Sequence, residues 1–203
     1  MPAGARATPA GPVPPMPEAT HRLPAGSAAQ RAGELAGEHD GAGLRIALAC
    51  ARFNDQVTER LLKGALAGLD AHGVPSARRT VVWVPGAFEL PLAAQELARS
   101  GGFDAVVCLG AVIRGETSHY DFVAGECAAG LQRVQLDRAL PVVFGVLTTE
   151  NLGQALERSG GALGNKGEEA AVTAIEMANL LRAVSTIRRP RARLVAERGR
   201  QQA

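Results

Sequence analysis

Aromatic side chains make up only 3% of this 203-residue chain, and none is interleaved with the arginines of residues 188–203, so nucleic-acid recognition by base stacking is not expected. Cysteine is sparse as well. Cys50, Cys108 and Cys127 lie within apolar runs at no metal-ligand spacing, which argues against a sulfur-rich metal centre. Three thiols without a secretory signal predict reduced, packed side chains and a cytoplasmic setting. No apolar run approaches the roughly 20 residues that a membrane-spanning helix needs, so no membrane partner is expected. The first forty residues also lack the apolar segment of a signal peptide, and an arginine-poor, proline-rich start makes a weak transit peptide. Neither a dinucleotide glycine fingerprint nor a P-loop follows any strand, which disfavours a flavin or nicotinamide oxidoreductase.

Neither sign of charge dominates most of the chain. The net charge is +2, yet residues 188–203 alone hold six arginines against one glutamate. Such a block reads as a solvated, disordered tail, with polyanion contact as the sharper alternative. Residues 1–43 are rich in Ala, Pro and Gly and bury too little to offset chain entropy, so they read as a disordered extension. The domain is expected over 44–187. There, apolar runs of strand length at 44–50, 78–84, 103–109 and 141–147 alternate with helical patterns at 57–71, 90–99, 119–136, 152–158 and 168–184. The strands are nearly continuous in Val, Ile, Leu, Ala and Cys, which suits burial on both faces. His72-Gly73 closes the first helix as a C-terminal cap, so His72 reads as structural. This rhythm predicts an α/β fold with a parallel sheet and right-handed crossovers.

A parallel sheet gathers the carboxyl ends of its strands on one rim, where ligands of open α/β sheets bind. The polar and aromatic exceptions in this apolar chain all follow strands. Residues 110–119 (Gly-Ala-Val-Ile-Arg-Gly-Glu-Thr-Ser-His) stand out, because Gly110 and Gly115 permit close backbone approach and a helix opening near Thr117 would favour an anion. The alternative is a plain strand-to-helix connection, with Ser118 as cap and Asp121 completing a capping box.

Four segments match one family in order and spacing: residues 51–55 (Ala-Arg-Phe-Asn-Asp), 83–91 (Trp-Val-Pro-Gly-Ala-Phe-Glu-Leu-Pro), 109–120, and 144–149 (Phe-Gly-Val-Leu-Thr-Thr) with Glu157-Arg158 and 164–167 (Gly-Asn-Lys-Gly) beyond. The chain resembles the 6,7-dimethyl-8-ribityllumazine synthase family over about residues 44–185. The resemblance implies a flavodoxin-like three-layer α/β/α sandwich on a four-stranded parallel sheet, assembled as a pentamer or an icosahedral 60-mer with active sites shared between neighbours. It implies condensation of 5-amino-6-(D-ribitylamino)uracil with 3,4-dihydroxy-2-butanone 4-phosphate, the penultimate step of riboflavin biosynthesis. No metal or organic cofactor is expected, and riboflavin synthase is an implied partner.

Read against that chemistry, His119 is the candidate acid/base, since an imidazole titrates near neutrality and His21, His39 and His72 are poorly placed. Phe53 is the candidate stacking face for the pyrimidine, or else a core aromatic. Ala87, Phe88 and Glu89 match the family's ribityl and ring contacts. Ala111, Val112, Ile113 and Phe144 match further contacts, although by type alone they are core residues. Glu116, Thr117 and Arg158 match the phosphate site, while a helix C-terminal cation is the plainer reading of Arg158. Lys166, with Glu169 as its partner, matches a lysine near the reacting groups. Arg114 is expected in a structural ion pair. One departure is Gly161-Ala162-Leu163, which replaces a segment that commonly carries a cation but keeps the spacing from Arg158 to Lys166. Two other readings compete: a domain that binds a flavin- or pterin-like compound without turnover, and a shell protein whose basic tail recruits acidic cargo.

Overall fold

The computed structural model describes residues 34–187. The expectations for residues 1–33 and for the basic tail over 188–203 lie outside the described residues. Four strands, β1 (Ile46–Ala51), β2 (Arg79–Val84), β3 (Ala105–Ile113) and β4 (Val142–Thr149), form one parallel sheet in the order β2-β1-β3-β4. Five helices connect or follow them: α1 (Asp55–Ala71), α2 (Leu90–Arg99), α3 (His119–Arg138), α4 (Leu152–Arg158) and α5 (Lys166–Ile187). The result is the expected α/β/α sandwich of flavodoxin-like type.

Strand periodicity divides β1 between two cores. Ile46, Leu48 and Cys50 pack toward α1 and α5, whereas Ala47, Ala49 and Ala51 pack toward α2 and α3. β3 divides in the same way, with Val107, Leu109 and Ala111 on the first side and Val106, Cys108 and Val112 on the second. Burying one Leu or Ile side chain fully is worth about 1.5–3 kcal/mol, so the central pair of strands anchors both layers.

The edges behave differently. Val81 and Trp83 of β2 and Phe144 of β4 are 37%, 40% and 41% exposed, which corrects the expectation that all four strands are buried on both faces. Position in the sheet, which composition does not encode, separates β1 and β3 from β2 and β4.

Helices α1 and α5 meet through glycine. A Cβ on Gly167 would stand 2.0 Å from the Leu61 carbonyl oxygen, and one on Gly64 would overlap the Asn165 amide. Asn165 belongs to a small antiparallel hairpin, β5 (Ser159–Gly161) with β6 (Gly164–Asn165), which the strand runs read from the sequence did not include. Its Nδ2 donates to the carbonyls of Arg60 and Ser159 at 2.9 and 3.2 Å, and its Oδ1 accepts the Gly167 N–H at 2.9 Å. The hairpin therefore has a fixed place between the last residue of α4 and the first of α5.

Two further differences concern segments read from composition. A compact unit begins at Leu35, so residues 35–43, assigned above to a disordered extension, have defined neighbours. Asn179 Nδ2 donates to the carbonyls of Glu38 and Asp40 at 2.7 and 2.8 Å, and Gly41 N–H donates to the His72 carbonyl at 2.7 Å. Backbone acceptors make these contacts, and no apolar pattern announces them. Second, α5 is long and apolar enough to pass a membrane-span test, with a mean hydropathy of 1.2. Its alanines raise the hydropathy, but Ala170, Ala171, Ala174, Ile175 and Ala178 form its buried stripe within the core shared with α1 and the sheet. It is a core helix.

His72 is structural as expected. It caps α1, with a ring nitrogen 2.9 Å from the Gly68 carbonyl oxygen, and Gly73 follows at φ 78°. The three cysteines are free and buried, and burial pushes the thiols up, to about 12 for Cys50 and about 11 for Cys127 and higher still for Cys108.

Candidate active site

Three loops at the carboxyl ends of β1, β2 and β3 converge on one cleft. The first two are tied together, since the N–H groups of Arg52 and Phe53 donate to the carbonyls of Val84 and Pro85 at 2.9 and 3.0 Å. Asn54 then turns the chain into α1 through a left-handed conformation (φ 62°), which asparagine tolerates better than most residues. Rather than capping α1, its Nδ2 donates to the Ala111 carbonyl at the end of β3 at 2.9 Å. That bond fixes the Phe53 loop against β3 and leaves the Phe53 ring 73% exposed beside the cleft.

The cleft measures about 620 Å³ and is lined by Phe53, Ala87, Phe88, Glu89, Ala111, Val112, Ile113, Thr117 and His119, all singled out from sequence. Asn54, Tyr120, Phe122 and Val123 also line it, and sequence reasoning gave them no role. The aromatics at 120 and 122 follow His119 so closely that the scarcity of such residues was the one signal available. Glu89 has a local duty, because its Oε2 accepts the Gly86 N–H at 2.8 Å. One oxygen of the carboxylate offered for ribityl hydroxyls is thus engaged in shaping the loop.

His119 is the first residue of α3 and is exposed. Its backbone N–H reaches Thr117 Oγ1 at 3.4 Å, and its imidazole makes no hydrogen bond within the described residues. The capping-box alternative fails here. Ser118 has helical φ and ψ with no side-chain cap bond, and Asp121 pairs with Arg114 instead. Arg114 holds the ion pair expected of it, with Nη1 3.1 Å from Asp121 Oδ1 and Nε 2.9 Å from Glu150 Oε2. These partners, Glu150 foremost, push the guanidinium above its usual range.

The remaining candidates lie elsewhere. Phe144, Arg158, Lys166 and Glu169 line a second cleft of about 500 Å³ along the outer edge of β4, with Thr149 and Thr173. Phe144 is therefore separated from Ala111, Val112 and Ile113, with which it was grouped. Arg158 Nη1 donates to the Gln154 carbonyl in its own last helical turn at 3.1 Å, the geometry of a C-terminal helix cation. Lys166 Nζ donates to both carboxylate oxygens of Glu169 at 2.9 and 2.8 Å, the pairing expected. Glu116 is exposed and lines neither cleft.

Chemically, the first cleft offers an apolar slot with exposed aromatic faces and one titratable imidazole. The second offers two cations and a carboxylate, suited to an anion. Among the described residues, no three His, Cys, Asp or Glu side chains converge as a metal site requires. Residues 43–182, well over half the chain and containing both clefts, match the family model described as 6,7-dimethyl-8-ribityllumazine synthase.

Proposed function

The chain belongs to the 6,7-dimethyl-8-ribityllumazine synthase family, and from that premise we propose that its two clefts are complementary halves of one active site. As a member of this transferase family it condenses 5-amino-6-(D-ribitylamino)uracil with 3,4-dihydroxy-2-butanone 4-phosphate, in riboflavin biosynthesis, and releases phosphate and water. Family members form oligomers and bind small-molecule substrates. The observation that carries the two-half reading is the separation itself: the imidazole and the apolar slot stand at one cleft, and the candidate phosphate cations stand at another along the free β4 edge. A neighbouring copy that set its β4 edge against the His119 cleft would complete the site.

In the assembled site, Phe53 stacks on the pyrimidine. Glu89 and the backbone of Ala87 and Phe88 follow the ribityl chain, and the main chain of Ala111, Val112 and Ile113 meets the ring edge, with Phe144 closing over it from the neighbour. Arg158 binds the phosphate through charge-assisted bonds worth roughly 1.5–3 kcal/mol, together with the Thr117 hydroxyl and the Glu116 N–H. The substrate amine attacks the ketone carbonyl, and His119 moves protons as the carbinolamine loses water. Phosphate then leaves with its electron pair on oxygen, neutralised by Arg158, before the ring closes. Lys166, supported by Glu169, adds positive charge near the reacting groups.

A pentamer suits a site shared head to tail, and a 60-mer of twelve pentamers extends the same contact. We further propose a cytoplasmic enzyme away from membranes, with riboflavin synthase as a partner. Mixing the purified full chain with both substrates should give lumazine fluorescence and stoichiometric phosphate well above the spontaneous reaction. Tight binding of the product with no acceleration would instead identify a binding module.

A further inference from the structure

We propose that Arg114 is a positioning residue that sets where His119 stands and joins the two clefts of one subunit, an inference that rests on the acid/base reading of His119. The start of α3 lacks the usual means of fixing a helix end. Ser118 gives no side-chain cap, residues 114–119 are all exposed, and a Cβ on Gly115 would meet nothing within 4 Å. Apart from the long contact of the His119 N–H to Thr117 Oγ1 at 3.4 Å, the side-chain contacts that hold this turn converge on one guanidinium.

Arg114 is the first residue past β3, and its N–H donates to the Thr149 carbonyl at 2.9 Å, continuing the β3–β4 ladder. The side chain then reaches three residues. Its Cζ lies 4.0 Å from the centre of the Tyr120 ring, and its Nη1 reaches Asp121. These are the two residues that directly follow His119, so the α3 turn is clamped to the rigid end of β3 immediately beside the imidazole. On the other side, Nε reaches Glu150, whose backbone N–H donates to Gln154 Oε1 at 3.0 Å. Glu150 precedes Asn151, whose Oδ1 caps α4 by accepting the Gln154 N–H at 3.0 Å, and α4 ends at Arg158. A single planar side chain thus links the first turn of the helix bearing the candidate acid/base to the first turn of the helix bearing the candidate phosphate cation.

Stability does not explain this arrangement. Asp121 and Glu150 are both 61% exposed in these pairs, and ion pairs of that kind contribute little to folding. Geometry is a better explanation, because only a planar fork can stack on one ring while bonding carboxylates in two directions. Lysine cannot reproduce that.

The test is a double-mutant cycle in the full-length assembled enzyme. Arg114→Ala should lower kcat by about tenfold to a hundredfold, the scale of a small misplacement of a reacting group, while assembly and the unfolding midpoint stay near wild type. Arg114→Lys should recover only part of that loss, and Asp121→Asn should reproduce much of it without touching the guanidinium. In a His119→Ala background, Arg114→Ala should cost less than about twofold more, because a residue acting through another has nothing left to position. Equal losses with and without His119, or wild-type kcat for both Arg114→Ala and Asp121→Asn, would overturn the proposal. Should Arg114→Ala fail to assemble, Asp121→Asn carries the cycle alone. Full activity in His119→Ala would refute the acid/base reading itself, an outcome separate from failure of the positioning role.

Discussion

The cleft beside His119 and the cleft beside Arg158 differ in how far one chain already satisfies their polar groups. In the Arg158 cleft each cation has an internal partner, Glu169 for Lys166 and the Gln154 carbonyl for Arg158. In the His119 cleft the polar side chains at the margin hold the loops: Asn54 bonds the Ala111 carbonyl, Glu89 bonds the Gly86 N–H, and Arg114 pairs with the Asp121 side chain in the first turn of α3. The imidazole and the aromatic faces are left open. One cleft is a preorganised slot and the other a store of charge on a sheet edge. Exposed pairs such as Lys166–Glu169 are worth about 0–1 kcal/mol, so an anion arriving at this cleft would exchange them at little cost.

That contrast gives the two clefts different kinetic signatures. His119→Ala should show the largest effect, lowering kcat by about 10²–10⁴-fold as expected for loss of a general acid/base, with the fold unchanged because the side chain is exposed. Steady-state rates with both substrates saturating would measure it. Arg158→Ala should cost about tenfold to 150-fold in kcat/KM, the equivalent of one charge-assisted contact of roughly 1.5–3 kcal/mol. Most of it should appear in KM for the phosphorylated substrate. If the two variants shared one pattern of kcat and KM, the division between slot and charge store would be lost.

A third effect, on stability and not on rate, concerns the core between the clefts. Cys50 packs on the α1/α5 side of the sheet, and Cys108 and Cys127 on the α2/α3 side. Their thiols are pushed up by burial from an ordinary value of 9.0, to about 12 for Cys50 and about 11 for Cys127. A raised folded-state pKa gives stability that is complete below pH 9 and declines above it, as the unfolded thiols release protons that the folded ones keep. The slope approaches about 1.4 kcal/mol per pH unit for each thiol. Urea midpoints measured at pH 8 and pH 10 should therefore fall with pH, and an unchanged midpoint would mean that the thiols are less enclosed than the packing indicates.

Much of this architecture was legible because strands and helices left clear periods. The continuous runs at β1 and β3 and the His72-Gly73 end of α1 each reflect a local physical demand. The first cleft was legible for a related reason, since polar and aromatic residues follow strands whose ends a parallel sheet must gather. What escaped was set by tertiary position. Phe144 has the same sequence character as a core residue, and only the end of the strand order leaves it half exposed. The hairpin around Asn165 is too short and glycine-rich to show alternation, and the strap at residues 35–43 is held through carbonyls that every residue possesses. Asn54 shapes the cleft by bonding to another element, so its role needed coordinates, as did the partners of the ion pair expected of Arg114.

The central claim, that one chain supplies the slot and its neighbour the charge, is tested most directly by mixing. His119→Ala and Arg158→Ala chains, each nearly inactive alone, are dissociated together and reassembled at equal ratio. In a head-to-tail ring, random assembly leaves about a quarter of the sites with both halves intact, so activity should return to about that fraction of wild type. Recovery no greater than the sum of the two separate variants would contradict the account.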